Sequence, residues 1–505
     1  ISNILFHNKE DEYNIYDKEE MIKFGVLTLE IESTPITQVP QKIHSENDMS
    51  GSMQDLCIDG RSKMEHLNLT LENIISLLSE NGDQTNIVMG ISGFDDKITQ
   101  VLEATRIRKD QEQVQKIHES IRGTLKPRGM TNIGLAIENA KKKLSNVQDG
   151  KNSFILMTDG QITTGATNKE WLTNALPNNS DNYLIGFGKD HDFNLLQTLA
   201  NKNMGQYFYV DKIENAGLVF GEIIHTILYP ALMKATITTT NGEIYDFINN
   251  IWTNSLQIPT ICSEQTKHFH VRSTDPEIFE LTINGATPFG EISHNEIKLP
   301  DLVNEDGTLE TVDLRKYMYR QKTLELLAQA KEIIINNKEY EEKSKMQKVL
   351  CEFRGAMQIF SDTENIDKAY MKQLLDDLYI CEKTLHSENA LLYNITRQCA
   401  QGRETSNNMT QINDEDIMRQ DAVNDEDEDH YEISDCALNR SNTTPHQMEI
   451  MRSCSNQPSK LKRTLKDEDD ENNENIPPPP LLTRCSANPI MNYEDLNNPV
   501  KMERS

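Results

Sequence analysis

Phe154-Ile155-Leu156-Met157-Thr158-Asp159-Gly160 is an apolar run that ends on a carboxylate and a glycine. A run this short and this apolar reads as a strand buried on both faces, and open α/β sheets place their ligands at the carboxyl ends of such strands. Two further segments can converge on Asp159 at that edge. Asp48-Met49-Ser50-Gly51-Ser52 stands ahead of a helical stripe through Met64, Leu67, Leu71, Ile74 and Leu78, and Thr131 opens a helix after the turn Pro127 to Gly129. Taken alone, Asp-x-Ser-x-Ser is a weak signal, because Asp and Ser cap helices and build turns everywhere. Its weight comes from placement.

Around these segments the chain alternates. Asn86 to Phe94 and Tyr183 to Phe187 read as strands, while Val114, Ile117 and Ile121, then Ile133, Ile137, Ala140 and Leu144, mark helices. Helices near Phe193 to Leu199 and Leu218 to Leu232 complete the series. Repeated strand-helix units predict a doubly wound, mainly parallel α/β sheet over 41–230. From 231 to 312 short β-branched segments (Lys234 to Thr240, Phe269 to Val271, Phe279 to Ile283) are separated by Asn-Gly, Pro and Gly turns, which predicts an antiparallel, β-sandwich-like domain. The alternating stretch Phe24 to Ile31, within 21–40, is expected to join that β domain, so that the α/β domain is inserted in its chain. Residues 1–20 form an N-terminal segment. Apolar stripes of period 3.6 over 313–398 predict a helical bundle, with Ser361 and Glu364 at capping-box spacing for a helix start. From 399 to 505 there is no Trp or Phe, and the acid runs Asp425 to Asp429 and Asp467 to Glu471 fall there. So little apolar surface cannot offset the entropy of ordering, which predicts a disordered acidic tail.

Composition narrows the function. The chain of 505 residues carries a net charge of −29 and is only 36% hydrophobic. A polyanion of this size is repelled by phosphate backbones and anionic lipid, which argues against nucleic-acid and membrane-surface binding. Its eight cysteines include no Cys-x-x-Cys pair, so zinc-ribbon and RING spacing is absent. With no signal-peptide pattern and no long apolar run, the expectation is a soluble intracellular protein; the basic island Lys460-Leu461-Lys462-Arg463 leaves a nuclear location open.

The chemistry suited to Asp48, Ser50, Ser52, Thr131 and Asp159 is binding of a hard divalent cation. Mg²⁺ takes oxygen ligands and retains waters, so neutral hydroxyls with one or two carboxylates suit it better than His or Cys. Two formal charges hold the ion without saturating it and leave a position for a partner's carboxylate. The metal then supplies the positive charge that a protein of net −29 lacks.

Asp48-x-Ser50-x-Ser52, Thr131 and Asp159-Gly160 resemble the metal-ion-dependent adhesion site of von Willebrand factor type A domains. Ile87 to Phe94 is similar to that family's hairpin strand, Ile185-Gly186-Phe187-Gly188 to its later strand end, and Asp192 to Leu196 with Gly205 to Phe208 to the segment beyond that strand. The resemblance covers 41–230. It implies a doubly wound fold with one Mg²⁺ or Mn²⁺ ion mediating protein contacts. It makes Asp48, Ser50 and Ser52 first-loop ligands, direct or through water, Thr131 the second-loop hydroxyl, and Asp159 a carboxylate acting through water. The implied function is a non-enzymatic, metal-dependent protein-binding module. The wider arrangement resembles plant ubiquitin ligases with this domain and proteins of giant DNA viruses of amoebae. The alternative is thus an adaptor subunit of a ubiquitin-pathway or ATPase assembly with a vestigial metal site. No RING or U-box is present, so ligase activity is not implied.

One segment departs from the family. Gln41-Lys42-Ile43-His44-Ser45-Glu46-Asn47 leads into Asp48 with a single strong apolar residue, and a central strand should not carry such a series. The expectation is a shortened, distorted strand or a copy that has lost residues. Other features have bland readings. His44 reads as a solvated strand-end residue and His268 with His270 as surface. Gly90-x-Ser92 lacks the last glycine of a nucleophile elbow, and Gly186-x-Gly188 the third of a dinucleotide fingerprint. Pro477 to Pro480 could serve a polyproline-reading partner, with a plain spacer as the other reading. A hydrolase using an Asp48/Asp159 metal lacks a general base.

Overall fold

In a computed structural model the described residues are 2–8 and 22–455, leaving out 58, 146–149, 203–204, 211–215, 298–302, 305, 337, 365–366 and 405–442. β1 (Ser2–Phe6) and β2 (Lys23–Glu30) precede an alternating unit: β3 (Gln41–Asp48), α1 (Lys63–Glu80), β4 (Ile87–Phe94), β5 (Ile98–Arg106), α2 (Gln111–Thr124), α3 (Ile133–Leu144), β6 (Lys151–Thr158), α4 (Lys169–Ala175), β7 (Ser180–Phe187), α5 (Phe193–Ala200), β8 (Gln206–Val210) and α6 (Ala216–Leu228). Strands resume as β9 (Pro230–Thr240), β10 (Glu243–Asp246), β11 (Ile251–Thr253), β12 (Ser255–Ile258), β13 (Ile261–Cys262), β14 (Thr266–Ser273), β15 (Glu280–Thr287) and β16 (Gly290–Ile297). Helices α7 (Arg315–Ile335), α8 (Tyr340–Thr363), α9 (Lys368–Thr384), α10 (Ala390–Arg403) and α11 (Pro445–Cys454) follow.

Six strands form one sheet in the order β5-β4-β3-β6-β7-β8, parallel except for the β4–β5 hairpin. Ile155 and Met157 of β6 enter the core under α1, α2 and α6, while Phe154 and Leu156 enter the one under α3 and α5. Both faces are covered, which is why β6 is apolar throughout. This is the doubly wound sheet expected. Two further sheets, β1-β2-β14-β10-β11 and β12-β9-β15-β16 with β13 on β9, enclose a core that includes Leu27 and Val271 from one and Ile237 and Leu281 from the other. β2 pairs antiparallel with β14 from Lys23 opposite Ser273 to Glu30 opposite Thr266. Helices α7 to α9 share a core around Leu327, Leu350, Met357 and Leu374, and α10 lays Leu392 and Tyr393 on the α5 side of the large sheet.

The polar approach to Asp48 is neither shortened nor distorted. β3 pairs without a register shift with β4 from Gln41 to Asp48 and with β6 from Gln41 to Asn47, and Ile43 to Asp48 are all buried. His44, Ser45, Glu46 and Asn47 pair with one another and with their neighbours, as buried polar groups must, whereas the buried Gln41 side-chain amide at the start of the strand meets no polar partner among the described residues. On one face His44 Nε2 lies 2.8 Å from Glu46 Oε1, which also accepts from Asn139 Nδ2 at 2.6 Å. On the other, Ser45 Oγ donates to Asn47 Oδ1, and Asn47 Nδ2 donates to the Ser92 carbonyl. Gly90 makes room for the imidazole, since a Cβ there would stand 2.8 Å from His44 Nδ1. His44 is therefore an interior residue rather than a solvated one.

Three other expectations are corrected. His270 is buried, with Nδ1 2.7 Å from Gln321 Oε1, and half-buried His268 faces Glu404 at 3.4 Å, because α7 and the end of α10 cover β14. Ser361 and Glu364 mark the end of α8, where Glu364 is the C-cap; α9 is capped instead by Asp367, whose side chain accepts the Tyr370 N–H. Within 399–505 the segment Pro445–Cys454 is helical, opened by Thr444 as N-cap and Pro445 in the first turn. It buries Met448, Ile450, Met451 and Cys454 against α6 and α1. Gly217 and Gly221 permit this, because a Cβ at either would collide with the Cys454 carbonyl or the Met451 Cα. The acid runs, Lys460 to Arg463 and Pro477 to Pro480 lie outside the described residues.

Candidate metal site

β3 and β6 are neighbours at the centre of the sheet, so their carboxyl ends bring Asp48 and Asp159 together. Both residues are buried. Asp48 Oδ1 accepts the Ser50 N–H at 2.8 Å, and Oδ2 accepts the Thr158 hydroxyl at 2.6 Å. Ser50 Oγ stands 3.1 Å from Ser52 Oγ, which donates to Asp159 Oδ1 at 2.7 Å. Asp48, Ser50, Ser52 and Asp159 thus form one connected group. Thr131 arrives from the second loop, and its Oγ1 bounds the space beside Gly160: a Cβ there would meet it at 3.4 Å and Ser52 Oγ at 4.0 Å.

The loops carrying these residues are tied together. The Arg128 N–H donates to the Met49 carbonyl at 2.6 Å, and its Nε donates to Asp95 Oδ2 at 2.7 Å. Gly129 turns the second loop at φ +70°, where a Cβ would press on Asp95 and Asp96. The Thr131 carbonyl accepts the N–H groups of Thr163 and Thr164, joining the second loop to the third.

Burial pushes the Asp48 carboxyl up to about 6 against the hydrogen bonds from Thr158 and Ser50, and the charge of Asp159 adds to the rise. Lys63, the first residue of α1, places Nζ 2.8 Å from Asp159 Oδ2 and 3.2 Å from Asp55 Oδ2. Burial works against its charge, but the two carboxylates outweigh that and hold its pKa above the ordinary lysine value.

Two carboxylates and three hydroxyls are hard oxygen donors, and the set fits Mg²⁺ or Mn²⁺ rather than a thiophilic ion. Among the described residues no group of three or more His, Cys, Asp or Glu is placed to hold a metal. An ion here would depend on the hydroxyls. Thr158 and Lys63 also engage the two carboxylates, and Asp55 shares the Lys63 ammonium, beyond the five residues marked by the sequence. In the sequence Thr158 closes an apolar strand, and nothing in the spacing of Asp55 and Lys63 ties them to Asp159. A nucleophile relay is not formed nearby: Ser92 Oγ and Glu46 Oε1 face the same buried nitrogen of His44. Among the described residues no helix is long and apolar enough to cross a membrane.

The family model for the von Willebrand factor type A domain matches residues 47–222. Inter-alpha-trypsin inhibitor heavy chain H3 of Mus musculus is 26% identical over 226 residues, 42% of this chain and 24% of that protein. The Bos taurus protein of the same name is 25% identical over 223 residues, with the same shares. The chain thus spans about a quarter of the length of the curated relatives it matches. Among solved structures, von Willebrand factor type A from Catenulispora acidiphila is 15% identical with a TM-score of 0.49, covering 76% of this chain and 89% of that one. The ArnB paralog VWA2 from Sulfolobus acidocaldarius is 15% identical with a TM-score of 0.48, covering 80% and 97%.

Proposed function

We propose that the von Willebrand factor type A domain of this chain is a non-enzymatic protein-binding head in which Asp48, Ser50, Ser52, Thr131 and Asp159 hold one Mg²⁺ or Mn²⁺ ion, and that a carboxylate of a partner protein completes the ion's shell. The observation that supports this is the connected group Asp48–Ser50–Ser52–Asp159 at adjoining strand ends, on loops bonded to one another. The ion would supply the positive charge that lets a chain of net −29 receive an acidic partner. Asp48 and Asp159 anchor the ion without filling its shell, and the hydroxyls add neutral oxygen donors that bring no further negative charge.

Leu56, Met130 and Trp171 favour a protein as the ligand. They are the exposed large apolar residues of 41–230 among those described, at 74%, 55% and 41% exposure. Leu56 follows Asp55 in the first loop, Met130 precedes Thr131 in the second, and the Trp171 ring packs beside Gly134, the second residue of α3. Apolar residues gathered at one edge can flank a partner's carboxylate and keep water from it. Capture on the immobilised full chain tests the reading, with Asp159→Ala alongside and washes in Mg²⁺ or EDTA. A partner released by EDTA and absent from the variant is expected. A partner held equally by both, with or without EDTA, would contradict the reading and favour a metal-independent adaptor.

A further inference from the structure

Both carboxylates of the site are already engaged by the chain itself. Asp48 receives the Ser50 N–H and the Thr158 hydroxyl; Asp159 receives the Ser52 hydroxyl on Oδ1 and the Lys63 ammonium on Oδ2. The cation that buried Asp159 needs is therefore Lys63. Helix electrostatics do not explain its position, because the N-terminus of a helix disfavours a positive charge and Lys63 is the first residue of α1. Its start is already capped by Ser62 and Glu65 acting reciprocally. Lys63 has a second acceptor in Asp55 Oδ2 at 3.2 Å, and the two acceptors differ: the Asp55 side chain is 65% exposed, that of Asp159 fully buried.

We propose that Lys63 is a displaceable internal cation: its ammonium neutralises Asp159 when no metal is bound, and an arriving divalent ion shifts it onto Asp55. The inference rests on the metal-binding reading above and adds to it a competitor and a resting place for that competitor. An ammonium and a divalent ion at one buried carboxylate repel strongly, since little water lies between them to screen the charges. Every binding event therefore carries the cost of moving Lys63, which lowers the apparent affinity for metal. Asp55 reduces that cost by accepting the ammonium in water. Nearby Phe187 gives the ammonium no anionic alternative; it lies under Nζ at 5.3 Å from the ring centroid.

The two acceptors give mutations of opposite sign. Mn²⁺ affinity is measured by calorimetry and by the loss of the free Mn²⁺ electron paramagnetic resonance signal, on the full chain and on Lys63→Met, Lys63→Gln, Asp55→Asn and Lys63→Met/Asp55→Asn. Both Lys63 variants are expected to bind Mn²⁺ about tenfold more tightly, and Asp55→Asn several-fold more weakly. In the Lys63→Met background Asp55→Asn should change little, because there is no ammonium to receive. Without metal, Lys63→Met should melt below the parent and regain the difference when Mn²⁺ is added. Equal or weaker Mn²⁺ binding by both Lys63 variants, folded by circular dichroism, would overturn the inference while leaving the metal site standing. Asp55→Asn weakening binding as much in the Lys63→Met background would overturn it too. Absence of Mn²⁺ binding in every protein would overturn both this inference and the metal reading.

Discussion

Glu46 shows most plainly what single residues reveal and conceal. In sequence it is a carboxylate in a run that should be buried on both sides, so the run reads as a damaged strand. In the structure it is fully buried beside His44, and it accepts from Asn139, which comes from a distant helix. Burial raises the Glu46 pKa, and the His44 and Asn139 contacts oppose the rise. Polarity by position is legible in sequence; compensation between positions far apart is not. Replacing His44 alone, as His44→Leu, leaves Glu46 without its principal partner and should cost about 3–5 kcal/mol in urea unfolding. Replacing both, as His44→Leu/Glu46→Leu, should recover most of that loss. A single variant as stable as the parent would show that the pair is not coupled.

Elements were legible where one residue type does one thing. The apolar run of β6, the stripe of α1 and the Pro127 to Gly129 turn each take the form their sequence suggests. Asp48 and Asp159 could be picked out as candidates because they stand at the ends of β3 and β6. Caps were less legible: Ser361 and Glu364 have the spacing of a helix start, yet Ser361 lies inside α8, whose apolar stripe runs on to buried Phe360, and Glu364 is its C-cap. Helix α11 was hidden for another reason. Its few apolar residues cannot stabilise a helix by themselves, and their partner surface is the Gly217 and Gly221 face of α6, more than two hundred residues away. Gly221→Leu should expel α11 while leaving the large sheet intact. Hydrogen exchange would report this as lost protection in Pro445–Cys454 with protection in β3 and β6 unchanged; unchanged protection in α11 would contradict the packing described.

At the scale of the whole molecule, the chain leaves the β layers after β2, builds the α/β unit, and returns at β9. Two histidines near the return path bear on pH. Burial pushes His225 and His270 each down to about 3, with the charges of His446 and Arg320 respectively adding to the fall. Both are neutral in the fold, while in the unfolded chain they take up protons near 6.5. Their contribution is therefore complete above pH 6.5 and is lost as the pH falls from there towards 3. Each should give a slope of about 1.4 kcal/mol per pH unit in that window, and His270→Gln should remove one such share of the slope. An unaltered slope in the variant would show that His270 titrates normally. The charge of −29 bears on the central claim from the other side, because a divalent ion is the means by which this head would meet an acidic partner. Calorimetric titration of Mn²⁺ into the full chain and into Asp159→Ala, with melting temperatures read in parallel, addresses that claim without knowledge of the partner. One ion bound per parent chain with a raised melting temperature, and no binding by the variant, is the expected result; no heat and no shift in the parent, or equal binding by the variant, would contradict it.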